Sequence, residues 1–224
     1  PRVRRQRQMC IRDSLILDAQ ERGIPAEGGL YMLSAQAVYA SAVFQSIELD
    51  ESLIKSAFDS VKSAKQNIVL VGMPSSGKTT VGKILAEKSG KELADTDEYI
   101  IKKIGMSISD FFAKFGEPEF RRIEKETIAE LASTGGKVIA TGGGAVLDPE
   151  NVRALKQNGT IVFLDRAPEN LIATDDRPLA SRRSALEKLY AERYDIYTAA
   201  AEVHIDANTT PEAEADAILK ELGE

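Results

Sequence analysis

The sequence predicts an α/β fold, a five-stranded parallel sheet flanked by helices, with an N-terminal helical extension. Three observations predict it. From residue 67 onward, five short apolar runs alternate with longer helical patterns, as in a parallel sheet covered on both faces. The first run, 67–71, leads directly into Gly72-Met73-Pro74-Ser75-Ser76-Gly77-Lys78-Thr79, which fits G-x-x-x-x-G-K-[ST]. A helical pattern opens at Thr79, with Val81, Ile84 and Leu85 at helical spacing, so strand, glycine-rich loop and helix stand in the required order.

The elements follow from the N-terminus. Residues 1–14 stand apart, with five Arg, one Asp, the only Cys and no apolar periodicity. Arg4-Arg5-Gln6-Arg7-Gln8-Met9-Cys10-Ile11-Arg12-Asp13 reads as an in-frame translation of a sequencing-library transposon adapter, so 1–14 are set aside as non-native. Position 1 is not Met, and the remainder reads as a fragment of a longer protein. Segments 15–22 and 30–47 show amphipathic helical patterns, separated by a Gly- and Pro-containing stretch. Another runs over about 50–62, with Leu53, Ile54, Ala57, Phe58 and Val61 on one face. Lys62 to Gln66 reads as a polar linker. The run 67–71 is apolar and β-branched, as a buried strand should be. Further strands are expected near 92–94 and at 137–140, 160–164 and 202–206. Helices are expected at about 79–88, 96–103, 107–114, 118–133, 149–157, 184–199 and 210–222. Ligands on such sheets bind at the carboxyl ends of the strands, so functional residues should follow each strand.

Four clusters do, beside the glycine loop. In the loop, backbone amides and the helix N-terminus point at an anion. Lys78 would reach β- and γ-phosphates, and the Thr79 hydroxyl would ligate Mg2+. After the second strand come Asp95, Thr96 and Asp97. One carboxylate could hold a metal through water while the other accepts a hydroxyl proton; equally, Thr96 or Asp97 could cap a helix. Arg121 and Glu124 share a helix face, either as a surface ion pair or with Arg121 as a fork for a substrate carboxylate. Gly142, Gly143 and Gly144 follow the third strand. Three glycines cost backbone entropy unless something approaches closely, and backbone amides meeting a ligand would explain them. Asp175-Asp176-Arg177-Pro178-Leu179 lies after the fourth strand, followed by Arg193 and Tyr197. Arg177 is either an exposed loop residue or the arginine of a loop that closes over phosphates.

Composition excludes several classes. A 43% apolar content suffices for a globular core, and no apolar run approaches the ~20 residues of a membrane span. A basic N-terminus without a following apolar region does not read as a signal peptide. One Cys excludes a disulfide framework and fits a reducing, cytoplasmic setting. One His, in an apparent strand, excludes a multi-histidine metal site. A net charge of -6 argues against a nucleic-acid partner.

Taken together, D-x-D at 95–97, F-R-x-x-E at 120–124, G-G-G-A at 142–145, R-P-L at 177–179 and R-x-x-x-Y at 193–197 resemble the shikimate kinase family, from residue 67 to about 208. The resemblance implies a P-loop NTPase fold of the nucleoside-monophosphate-kinase type. It implies transfer of the γ-phosphoryl group of ATP to the 3-hydroxyl of shikimate, with Mg2+. It places ATP on Ser75, Ser76, Gly77, Lys78, Thr79 and Thr80, with Arg177 as lid arginine. It places shikimate on Asp97, Arg121, Gly142, Gly143, Gly144 and Arg193, and the metal on Thr79, with Asp95 acting through water. Asp97 would be the base, with Lys78 and Arg177 neutralising charge. Position 75 is Ser where the family often has Gly, and its amide stays available. The lid is short and lacks the basic residue that often flanks adenine upstream of Arg177.

A second resemblance covers about 15–47. Leu15-Ile16-Leu17-Asp18-Ala19, Gly23 and then Gly29-Leu30-Tyr31-Met32-Leu33-Ser34-Ala35-Gln36-Ala37 are similar to the C-terminus of shikimate dehydrogenase, in which the residue matching Gln36 touches shikimate. The implied organisation is 1–14 adapter-derived, 15–66 dehydrogenase remnant plus linker, and 67–224 kinase domain, the native chain being a fusion. Two other readings remain at this point: a gluconate-type small-molecule kinase, and a nucleotide-binding regulatory module without turnover.

Overall fold

The computed structural model describes residues 11–12, 14–171 and 183–223. Its element order is α1 (Ser14–Glu21), α2 (Leu30–Gln45), α3 (Glu51–Lys65), β1 (Asn67–Val71), α4 (Lys78–Ser89), β2 (Glu92–Asp95), α5 (Thr96–Ile104), α6 (Ile108–Ala132), β3 (Lys137–Ala140), α7 (Pro149–Asn158), β4 (Gly159–Asp165), α8 (Arg183–Ala200), β5 (Val203–Asp206) and α9 (Pro211–Leu222). Single 3-10 turns precede α7 and follow β4. All five strands pair in parallel, in the order β2-β3-β1-β4-β5. The expected sheet is therefore present, with β1 at its centre.

Alternation along the strands sorts the core into two layers, because successive side chains point to opposite faces. Val69 and Val71 join Ile139, Ile161 and Phe163 on one face, packed with Ile128, Leu131, Leu155 and Tyr197 from α6, α7 and α8. Ile68 and Leu70 join Val138, Val162 and Leu164 on the other, beneath Val81 and Leu85 of α4 and Ile218 of α9. Every residue of β1 is buried. Each such aliphatic side chain contributes roughly 1.5–3 kcal/mol on leaving water. A smaller cluster, Ile100, Phe111, Phe120 and Ile123, ties α5 to α6.

Two local readings are corrected. Lys62 to Lys65 is helix rather than linker: α3 runs to Lys65, and only Gln66 separates it from β1. The end of α3 is anchored, since Gly136 N donates to Lys65 O at 2.9 Å. The helices expected at 107–114 and 118–133 are both present: α6 is two helices meeting at a kink at Gly116 (φ 78°, ψ 171°), a left-handed value that glycine adopts without penalty. Pro118 follows at the first turn of the second half, where a missing N–H costs little. The second correction, the cap of α5, belongs to the site below.

Ile11 and Arg12, from the segment set aside in the sequence, rest on α7 and the adjoining strands. Ile11 N donates to Asn158 Oδ1 at 2.9 Å, and Arg12 pairs with Glu202 at 2.6 Å. His204 lies exposed on the edge strand β5, its ring against Phe163. Among the described residues no helix is long and apolar enough to cross a membrane.

Candidate active site

The loops after β1, β2 and β3 converge at the carboxyl edge of the sheet. The glycine loop begins at Gly72 (φ 149°), where a side chain would strike Leu164 O at 2.8 Å. It ends at Gly77 (φ 93°), the N-cap of α4. Ser75 takes φ 65°, a left-handed conformation costing a non-glycine residue roughly 1–2 kcal/mol, which gives glycine at this position a physical reason. Lys78 is only 6% exposed. Its ammonium donates to Gly72 O (3.0 Å), Met73 O (2.7 Å) and Ser76 Oγ (3.3 Å), so it is held inside the loop rather than in solvent.

Asp95, not Thr96 or Asp97, caps α5: its Oδ1 accepts from Asp97 N (3.0 Å) and Glu98 N (3.4 Å). The functional and capping readings therefore coincide in one residue, because Asp95 Oδ2 also accepts from Thr79 Oγ1 at 2.7 Å. Capping leaves Asp97 in the first turn of α5, pointing toward Gly142. A cleft of about 230 Å³ is lined by Ser75, Gly77, Lys78, Thr79, Thr80, Asp95, Asp97 and Thr141. It joins the phosphate loop to both aspartates.

The three glycines are needed for space, each against a different neighbour, and none has positive φ. A side chain on Gly142 would meet Asp97 Oδ1 at 2.8 Å and Glu124 Oε1 at 3.2 Å. One on Gly143 would meet Pro74 of the phosphate loop at 2.9 Å. One on Gly144 would fall within 2.7 Å of Arg121 Cζ. The expectation of amides meeting a ligand is corrected at Gly142, whose N–H donates to Thr96 Oγ1 at 2.9 Å.

Arg121 and Glu124 are not a surface pair. Glu124 is 2% exposed and accepts from Arg121 Nη1 at 2.6 Å. Burial pushes the Glu124 carboxyl up, and the Arg121 guanidinium offsets only part of that rise. Glu117 accepts from Arg121 Nη2 (3.0 Å) and Nε (3.2 Å). Arg193, 8% exposed, donates to Gly143 O at 3.1 Å, and Tyr197 Oη donates to the same oxygen at 2.5 Å. Burial pushes the Tyr197 phenol up to about 12, so it keeps the proton that it donates.

A family model described as shikimate kinase matches residues 74–223. The chain belongs to the shikimate kinase family. Its activity is the family's ATP-dependent phosphorylation of shikimate. The shikimate kinase of Thermodesulfovibrio yellowstonii is 42% identical over 164 residues, covering 70% of this chain and 94% of that protein. That of Enterococcus faecalis is 40% identical over 168 residues, covering 71% and 99%. Among solved structures, the shikimate kinase of Acinetobacter baumannii in complex with shikimate superposes with a TM-score of 0.69 at 35% identity, covering 73% of this chain and 96% of that one.

The shikimate kinase fold thus brings together Lys78, Thr79, Asp95, Asp97, Arg121, Gly142, Gly143, Gly144 and Arg193. Arg177 lies outside the described residues, as do Asp175 and Asp176. Gln36 is exposed on α2 and does not line the cleft. Sequence reasoning missed the buried anchoring of Arg121 by Glu124 and the packing of Pro74 on Gly143. The helical spacing of Arg121 and Glu124 was the available signal, but only packing shows that Glu124 is buried.

Crowding at Gly144 has a testable consequence. Its φ of -100° suits any residue, so Gly144→Ala should fold normally. The new methyl should displace the Arg121 guanidinium and raise the KM for shikimate by about tenfold, the value of a charge-assisted contact. Steady-state kinetics alongside a thermal melt would test this. An unchanged KM would show that Arg121 acts elsewhere.

Proposed function

We propose that the cleft transfers the γ-phosphoryl group of ATP to the 3-hydroxyl of shikimate, with Asp97 as base and Lys78 as the charge-neutralising cation. The supporting observation is the cleft itself, which the phosphate loop and Asp97 line together. Phosphoryl transfer asks little covalent chemistry of the protein; positioning and charge neutralisation do most of it. Ser75, Ser76, Gly77, Thr79 and Thr80 supply amides and hydroxyls to the phosphates. Lys78 already sits at the centre of the loop and needs only to exchange carbonyl partners for phosphate oxygens. Arg177 has the lid arginine's role.

Thr79 and Asp95 present a hydroxyl and a carboxylate 2.7 Å apart, hard oxygen donors that suit Mg2+. Among the described residues no group of three or more His, Cys, Asp or Glu could hold a metal. Thr79 would hold it directly and Asp95 through water. Bound there, Mg2+ would neutralise phosphate charge.

The acceptor is held by arginines. Arg121 and Arg193 bind the shikimate carboxylate, and Asp97 receives ring hydroxyls over Gly142. Glu124 positions Arg121 by a buried ion pair. Exposed Glu117 now holds the Nε–Nη2 edge of Arg121, the edge a carboxylate can grip bidentately, and yields it to substrate. Arg121→Ala should raise the KM for shikimate about 10- to 100-fold with little change in the KM for ATP. Selective loss of ATP binding would overturn this assignment, as would a coupled assay in which gluconate outcompetes shikimate.

Residues 1–14 are read as adapter-derived, 15–66 as a shikimate dehydrogenase remnant and 67–224 as the kinase domain of a cytoplasmic fusion. What supports this reading is that the two resemblances share one metabolite. The family model begins at residue 74. On α2, Val43 and Phe44 are 76% and 89% exposed, as expected of a surface made for a neighbour. The reading frame upstream of Leu15 in the parent gene tests it: a dehydrogenase there supports the fusion, and any other sequence refutes it.

A further inference from the structure

Arg166 follows Asp165, the last residue of β4, at the carboxyl edge of the sheet. Its guanidinium donates through Nη2 to Glu214 Oε1 at 2.9 Å, and Glu214, on α9, is 1% exposed. The same guanidinium lies against the phosphate loop. A side-chain carbon on Gly77 would stand 3.6 Å from Arg166 Nη2 and 3.9 Å from Cζ. Arg166 Nε is buried with no hydrogen-bond partner, while the side chain as a whole keeps 20% exposure. The guanidinium is therefore pinned at one corner, faces the loop at Gly77 and retains donor capacity.

The direction of the reaction says what could use that capacity. In-line transfer places the entering hydroxyl and the leaving oxygen on opposite sides of the γ-phosphorus. Asp97, Arg121 and the Gly142–Gly144 strip belong to the β2–β3 side of β1. The ADP portion therefore extends to the other side, over Gly77 toward β4, where Arg166 stands. We propose that Arg166 is a nucleotide-binding residue that donates to the α-phosphate of ATP from the β4 side of the loop, with Glu214 as its buried anchor. The proposal rests on the functional reading above and adds a residue from outside the motifs. An Arg fork suits phosphate oxygens, and a buried carboxylate that orders it beforehand reduces the entropy lost on binding.

Arg166→Met combined with Glu214→Gln removes both charges and leaves no buried carboxylate unpaired. This variant should raise the KM for ATP about tenfold or more, weaken competition by tripolyphosphate similarly and leave the KM for shikimate within about twofold. Arg166→Lys, which keeps the pair with Glu214, should fall between wild type and the double variant. An unchanged KM for ATP in the folded variants overturns the proposal. So does a raised KM for ATP with tripolyphosphate competition unaltered, since the contact is then to the nucleoside. Lys78→Met, measured in parallel, separates the two levels: if it abolishes turnover while the Arg166 variants do not weaken ATP, only this proposal fails. If Lys78→Met retains full turnover, the reading of the loop itself fails.

Discussion

Asp97→Asn should lower kcat by about 10²–10⁴-fold, the range that a positioned general base supplies. The substitution keeps the size of the side chain and its capacity to hydrogen-bond ring hydroxyls, so the KM for shikimate should change much less than kcat. Both aspartates line the cleft, and Asp97 is the proposed base. Asp95 is committed twice over, to the amides that open α5 and to the Thr79 hydroxyl. Asp97 stands one helical step further on, with its Oδ1 against Gly142 and the Glu124 carboxylate nearby. A full kcat with only a raised KM would reduce Asp97 to a binding residue.

Lys78→Met should lower kcat/KM by about 10²–10³-fold, comparable to losing one preorganised donor to a charged transition state. Folding should also suffer. The ammonium satisfies the carbonyls of Gly72 and Met73 inside a loop whose neighbours are buried, and removing it leaves these acceptors short, at about 1–3 kcal/mol. The two effects separate experimentally: ATP at saturation should not restore kcat, whereas a stabilising solute should restore the melting temperature. Near-normal turnover would overturn the reading of the loop as the phosphate site.

The contiguous parts of this site were legible in the sequence. The phosphate loop is a single stretch between a β-branched strand and a helix, and Asp95, Asp97 and the three glycines each follow a strand. Local rules suffice for such features. The reasons behind them were less legible. Thr96 and Asp97 were candidate caps by residue type, yet Asp95 caps, because β2 runs through Asp95 and α5 begins directly after it at Thr96. The glycines read as amides for a ligand. Their lack of side chains also admits Asp97 and Glu124, Pro74 and Arg121, neighbours contributed by three other segments. Lys62 to Lys65 read as linker for its polarity, but its helix is completed by docking on Gly136, a contact 71 residues away in the chain.

By itself the sequence determined the α/β class, the order of strands and helices, the phosphate loop and the motifs that mark the shikimate kinase family, because periodicity and spacing are properties of the chain alone. The tertiary structure decided which charges are buried. Glu124 became an anchor rather than a surface partner because α5, α6 and the loop after β3 close around it. Arg166, without any motif, came to lie against Gly77 because β4 is the neighbour of β1 and α9 supplies a buried carboxylate. Burial and proximity across the sheet are sums over many distant residues, and no local pattern encodes them.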